Sequence, residues 1–195
     1  MSETKKTASE QFKSRIWKEY PIPKEFSIWG GDMEHTIPLE DLDALIEMCV
    51  EDVASDIVVR EHKYASGLQT SMPQDTITVL YANLDFPFQG NRQVKVSYDH
   101  STKRAFMRTF PGSIVYIRKL HVEDIDNLQG DRLIYFRNYV MSMMATKELS
   151  YLKTVSMNVD NGNIDLGTLE KFAEKTAEKV EKLRESILIY AVSNG

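Results

Sequence analysis

Apolar residues recur along this chain with two different periods, and the change of period separates helical ends from a central run of strands. Leu42, Leu45, Ile46, Cys49, Val53 and Ile57 stand three or four residues apart, which predicts a one-sided helix over residues 39–56. Pro38 suits its first turn, and Glu40, Asp41 and Asp43 sit where the helix dipole favours negative charge. Past Ile57 the period shortens to two: Val94, Val96 and Tyr98 alternate with Gln93, Lys95 and Ser97. Thr76 to Tyr81 is rich in β-branched and aromatic residues, Asp99 to Lys103 reads as a turn, and Arg104 to Phe110 returns antiparallel. Pro111-Gly112 turns the chain again before Ser113 to Leu120, so a small antiparallel β meander is expected over residues 61–120.

The last third is helical in pattern. After a short turn from His121 to Leu128, a helix is expected from Gly130 to about Thr154, apolar over more than one stripe and therefore covered on several sides. In the final helix, Asp165 to about Tyr190, the residues Ala173, Thr176, Val180, Leu183, Ile187 and Tyr190 form the seam of a packed helix pair. Asn161-Gly162 reads as the tight turn of this αα hairpin, with Asn163 or Asp165 as cap. At the other end, Phe12, Ile16 and Trp17 give Gln11 to Tyr20 an amphipathic pattern that Pro21 and Pro23 terminate. The expected fold class is α+β. Residues 1–37 form an N-terminal arm, and a single domain covers 38–195: an acidic helix (38–60), the meander (61–120) and the hairpin (121–195). Trp17 and Trp29 either pack on the chain's own core or anchor the arm on a neighbour, and the second possibility makes them candidate interface residues.

Composition adds little to this picture and charge adds much. With 42% hydrophobic and 27% charged residues, the 195-residue chain is ordinary globular material. Its lone Cys49 cannot form an internal disulfide, residues 1–10 are polar, and no apolar run has membrane-spanning length, so a cytosolic, membrane-free protein is expected. The net charge of −5 conceals two blocks. Nine acids and no Lys or Arg lie between Asp32 and Val59, whereas Arg92 to Lys119 holds seven bases and one acid, Asp99. Glu47, Glu51 and Asp52 on the acidic helix, and Arg92, Lys95, Arg108, Arg118 and Lys119 on the strands, are the candidate interface residues. The two blocks can dock on each other within one subunit or between subunits; complementary patches set register and orientation, and a head-to-tail contact between copies builds rings or filaments.

Catalytic patterns fail residue by residue. The four histidines, His35, His62, His100 and His121, are scattered without zinc-ligand spacing. No phosphate-binding glycine loop or nucleophile elbow is present. The segment Asp160 to Asp165 fails as a calcium loop, because Met157 and Val159 would occupy ligand positions. No cofactor and no metal are expected. An enzyme with a dispersed site would have to draw on Glu61, His62, His100 and Arg104. Bases interleaved with Tyr98, Phe106, Phe110 and Tyr116 admit a single-strand nucleic-acid reading, which the pI of about 5.5 disfavours.

Residues 121–191 resemble structural proteins of tailed-bacteriophage virions. The resemblance rests on Gly130-Asp131-Arg132-Leu133-Ile134-Tyr135-Phe136 opening a long helix, Asp160-Asn161-Gly162-Asn163 at its turn, and Ile187-Leu188-Ile189-Tyr190-Ala191 near the end. It implies a non-enzymatic neck, tail or baseplate subunit present in several copies. Such a subunit would partner itself and other structural proteins, form in the host cytoplasm and end in the virion.

Overall fold

A computed structural model describes residues 8–30, 40–65, 67–86, 90–108, 112–156 and 166–193. The elements are α1 (Glu10–Glu19), α2 (Leu42–Asp52), β1 (Val58–Ala65), β2 (Gln69–Ser71), β3 (Thr76–Phe86), β4 (Gly90–Val94), β5 (Ser97–Asp99), β6 (Arg104–Phe106), β7 (Gly112–Lys119), α3 (Gly130–Ser156) and α4 (Leu166–Ser193). Helices and antiparallel sheets in this arrangement make the α+β class. The domain organisation differs from the expected arm and single domain. The chain folds into two compact units: unit 1 combines residues 1–56 with 121–195, and unit 2 is the intervening 57–120.

Unit 1 is helical. Ser9 caps α1 by accepting from the Phe12 amide at 3.2 Å, and the helix buries Phe12 and Ile16. Phe12 stacks on Phe136 of α3 with ring centroids 5.6 Å apart, and Tyr20 meets Phe172 of α4 edge-on at 5.6 Å. Residues Tyr20, Ile22, Ile28 and Trp29 are likewise buried. Much of the described part of the expected arm is therefore core, because burying Phe12, Tyr20 and Trp29 removes apolar surface from water; Phe26, 56% exposed, is the exception. Gly30 is required where this segment folds on itself: a Cβ there would lie 2.0 Å from the Lys24 carbonyl oxygen.

Helix α2 buries the expected face, Leu42, Leu45, Ile46 and Cys49, and Asp41 caps it by accepting from Asp43 and Ala44 amides. It stops at Asp52, short of the expected boundary. The β-branched pair Val58-Val59 already belongs to β1, where strand pairing outweighs the continuing helical period. Pro38 and Leu39 lie outside the described residues. The hairpin of α3 and α4 has the expected extent, with Leu169, Thr176, Val180 and Ile187 buried along the α4 seam and a Lys153–Glu170 ion pair at 2.7 Å joining the helices. The Asn161-Gly162 turn and its caps lie outside the described residues.

Unit 2 is not one meander. It holds a four-stranded sheet in the order β1-β7-β3-β4 and a three-stranded sheet in the order β2-β6-β5, all pairs antiparallel. The expected hairpin through Asp99–Lys103 is there as β5–β6, with Asp99 accepting from the Ser101 amide and the hydroxyls of Ser101 and Thr102. Lys103 takes the left-handed conformation at φ 52°. The sheets share a core of Ala65, Met72, Ala82, Val96, Ala105, Met107, Ile114 and Tyr116. Small residues from both sheets let the two layers close over little volume, which suits a 64-residue unit.

Candidate functional site

The candidate interface residues fall into three groups. Trp29 is 3% exposed; its indole N–H donates to the Met144 carbonyl at 3.3 Å, and the Lys147 ammonium lies 5.7 Å from the ring centroid. It is a core residue and not an exposed anchor. Trp17 is half-buried, edge-on to Tyr20 at 5.8 Å. Among the acids, Glu51 and Asp52 are exposed and Glu47 is half-buried. Asp52 accepts from the Tyr139 hydroxyl at 3.2 Å. Other acids of this block are answered within unit 1: Asp43 by Lys13 at 2.9 Å, Glu40 by Lys147 at 3.6 Å, and Asp56 by Arg184 at 3.1 Å and the Tyr135 hydroxyl at 2.7 Å.

The bases do not share one face. Arg92 lies on β4, Lys95 on the connection from β4 to β5, Arg108 past β6 and Lys119 at the end of β7, all exposed. Arg118 is 8% exposed and turned inward, in phase with Ile114 and Tyr116. Its guanidinium donates to Glu61 at 2.5 Å and to the Lys119 carbonyl at 2.9 Å, and lies 3.9 Å from Asp75. The expected polar face therefore loses Arg118, because β7 alternates and position 118 falls on the core side. Tyr116 donates to the same Glu61 at 2.6 Å; burial foremost, and that carboxylate, hold its hydroxyl protonated well above the usual range.

The residues of the dispersed-site reading are spread apart. Glu61 and His62 are consecutive in β1 and so point to opposite faces. His100 packs on the Tyr98 ring at 4.6 Å, and Arg104 is on β6 of the other sheet. Among the described residues no cluster of three or more His, Cys, Asp or Glu could hold a metal ion. Cys49 is fully buried, and burial pushes its thiol up to about 12, as befits a structural residue. No described helix is long and apolar enough to cross a membrane.

Glu148 is the polar residue the sequence reading missed. It is 0% exposed in the middle of α3. Its carboxylate accepts from the Tyr20 hydroxyl at 2.6 Å, the Ser27 hydroxyl at 3.0 Å and the Ile28 amide at 3.2 Å. Burial raises its pKa above the usual carboxylate value, with the three donors pulling the other way. The signal was its helical phase: it stands four residues from both Met144 and Leu152, which are buried. Farther along the hairpin a groove of about 810 Å³ is lined by Tyr139, Met143 and Val180 together with Glu174, Glu178 and Glu181.

No protein-family model matches the chain, and no curated protein matches it.

Proposed function

We propose that this protein is a non-enzymatic assembly subunit of a larger complex, of the kind found in the neck, tail or baseplate of tailed-phage virions. One observation carries the reading: charge divides along the boundary between the two units. Unit 2 holds nine Lys and Arg against four Asp and Glu, while unit 1 holds fifteen against twenty-five. Two units of opposite sign on one chain make each copy complementary to the next, a head-to-tail relation that closes rings or extends filaments. The exposed Glu51 and half-buried Glu47 on α2, and Arg92, Lys95 and Lys119 on unit 2, have no ion-pair partner among the described residues. In this reading copies form in the host cytoplasm, take other structural proteins as partners and end in the virion.

Light scattering across a salt series tests it. The expected result is a multimer at low salt that dissociates as exposed charges are screened within about 8 Å at physiological ionic strength. Glu47→Lys with Glu51→Lys should lower the mass at low salt. A monomer at every salt concentration would reject the reading.

A further inference from the structure

The three-stranded sheet of unit 2 has an outer face of unusual make-up. Along its central strand, Ala105 and Met107 point into the core, and Arg104, Phe106 and Arg108 alternate with them on the exposed side. The ladder continues past β6, since the Met107 amide donates to the Leu68 carbonyl at 2.8 Å. Phe106 is 41% exposed, and its cross-strand neighbours are Gln69 on β2 and Ser97 on β5, both exposed. Neither is bulky enough to shelter the ring. Lys95 precedes Ser97 by two residues on the same exposed alternation. Arg104, Arg108 and Lys95 make no ion pair among the described residues. The nearest carboxylate in the ladder, Asp99 opposite Arg104, is already occupied by Ser101 and Thr102.

We propose that this face binds single-stranded nucleic acid, with a base stacked on Phe106 and the flanking phosphates on Arg104 and Arg108. The geometry selects the ligand. An aromatic ring left open on a sheet face offers a stacking platform to an unpaired base, which a base held in a duplex cannot use. Each arginine stands two residues from the ring, roughly 7 Å along a strand, about the reach from a base to the phosphate beside it in an extended strand. The guanidinium fork matches a phosphate better than an ammonium does. An acidic protein surface would satisfy the arginines but leave Phe106 without a role. The overall net charge of −5 is no obstacle at this face, because unit 2 itself carries the basic excess. The inference is independent of the assembly reading.

Fluorescence anisotropy of a labelled 15-nucleotide oligodeoxythymidine with the full chain tests the proposal, polyglutamate serving as an acidic polymer without bases. The oligonucleotide should bind at low salt and resist polyglutamate. Phe106→Ala should weaken binding about tenfold, within the range that stacking one base supplies, and Phe106→Tyr should retain it. Arg104→Gln with Arg108→Gln should flatten the salt dependence by a log–log slope of about 1.4, two phosphate contacts on a single strand. Circular dichroism checks that these exposed substitutions leave the fold intact. The proposal is overturned by no binding at low salt, by equal displacement with polyglutamate, or by Phe106→Ala binding as well as wild type. It is equally overturned if the same substitutions lower the multimer mass while oligonucleotide binding is absent, which would make the face a protein-docking surface.

Discussion

Unit 1 buries the carboxylate of Glu148 among three neutral donors, whereas unit 2 buries the guanidinium of Arg118 against the carboxylates of Glu61 and Asp75. Taking either ion out of water costs several kcal/mol. In unit 1 the cost is offset by hydrogen bonds alone, and desolvation prevails: the pKa of Glu148 rises. In unit 2 the opposing charges offset it directly, at the price of making each partner dependent on the other. The donors that Glu148 draws on come from residues 20–28, so one side chain of α3 organises the whole segment between α1 and Gly30. The Arg118 network instead ties β7 to β1 and to the residue preceding β3, three positions far apart in sequence. A neutral cage shapes a local segment; a charge pair fixes long-range register.

The largest expected effect comes from emptying the cage. Glu148→Ala strands the Tyr20 and Ser27 hydroxyls and the Ile28 amide in a buried site, and each orphaned group costs about 1–3 kcal/mol. Allowing for partial relaxation, a loss of about 3–5 kcal/mol is expected. Both tryptophans belong to unit 1, so their fluorescence in a denaturant titration follows that unit. Glu148→Gln, which retains an acceptor, should lose far less; equal losses from the two substitutions would show that the cage is not what holds the segment.

Arg118→Met should come next, at about 2–3 kcal/mol. That is below the 3–5 kcal/mol typical of breaking a buried pair, because Glu61 remains 38% exposed and water can partly satisfy it. Glu61→Gln in the same chain should recover part of the loss, and the double-mutant cycle gives the coupling directly. Additive losses would mean that the two side chains do not stabilise one another.

The pH dependence sharpens the contrast by its sign. Glu148 has a folded pKa above its unfolded value, so its contribution is fully present below the unfolded pKa and is lost as pH rises through the folded one. Asp99 of unit 2 is the reverse case. Hydrogen bonds from Thr102 and Ser101 lower its pKa to about 2, so its contribution is present above the unfolded pKa and lost as pH falls toward 2. Denaturation midpoints for wild type and Glu148→Gln should diverge as pH rises from the ordinary carboxylate range, the wild type losing ground. Parallel curves would contradict the uncompensated cage.

The smallest expected effect is in the helix pair. Leu183 is only half-buried on α4, so Leu183→Ala should cost about 1–2 kcal/mol, less than the 2–5 kcal/mol of a fully enclosed leucine. The enclosed neighbour Val180 is the position to compare in the same titration.

Local signals were legible in the sequence and distant pairings were not. The buried face of α2, the α4 seam and the β5–β6 hairpin each follow from residues within a few positions of one another, such as the Asp99–Lys103 turn. The pairing of β1 with β7 brings Val58 opposite Lys119, and no local pattern specifies a partner sixty residues away. The extent of α2 was overestimated because Val53 and Ile57 continue its period through the turn that ends it. Pro21, Pro23 and two tryptophans suggested an arm, since nothing nearby announced the acceptor awaiting Tyr20 and Ser27. Arg118 was placed on the polar face because charge was read as exposure, and Glu148 drew no reading at all, although both keep the phase of buried neighbours. The Arg104, Phe106, Arg108 alternation was legible as a pattern, but only the sheet shows which side is open.

The route of the backbone through unit 2 has a consequence for how the molecule comes to be made. Unit 1 is assembled from two stretches of chain, and contacts such as Phe12 with Phe136 cannot form on the ribosome until the intervening strands have emerged. Unit 2 is continuous and can fold first. It begins and ends on adjacent strands, with Val58 paired to Lys119, so its folding shrinks a 64-residue detour to the spacing between two neighbouring strands. The later halves then meet across a short, pre-closed gap, and most of the entropy of closing that loop has already been spent. Where unit 2 folds first, a mutation that slows its strand pairing should delay the helices as well.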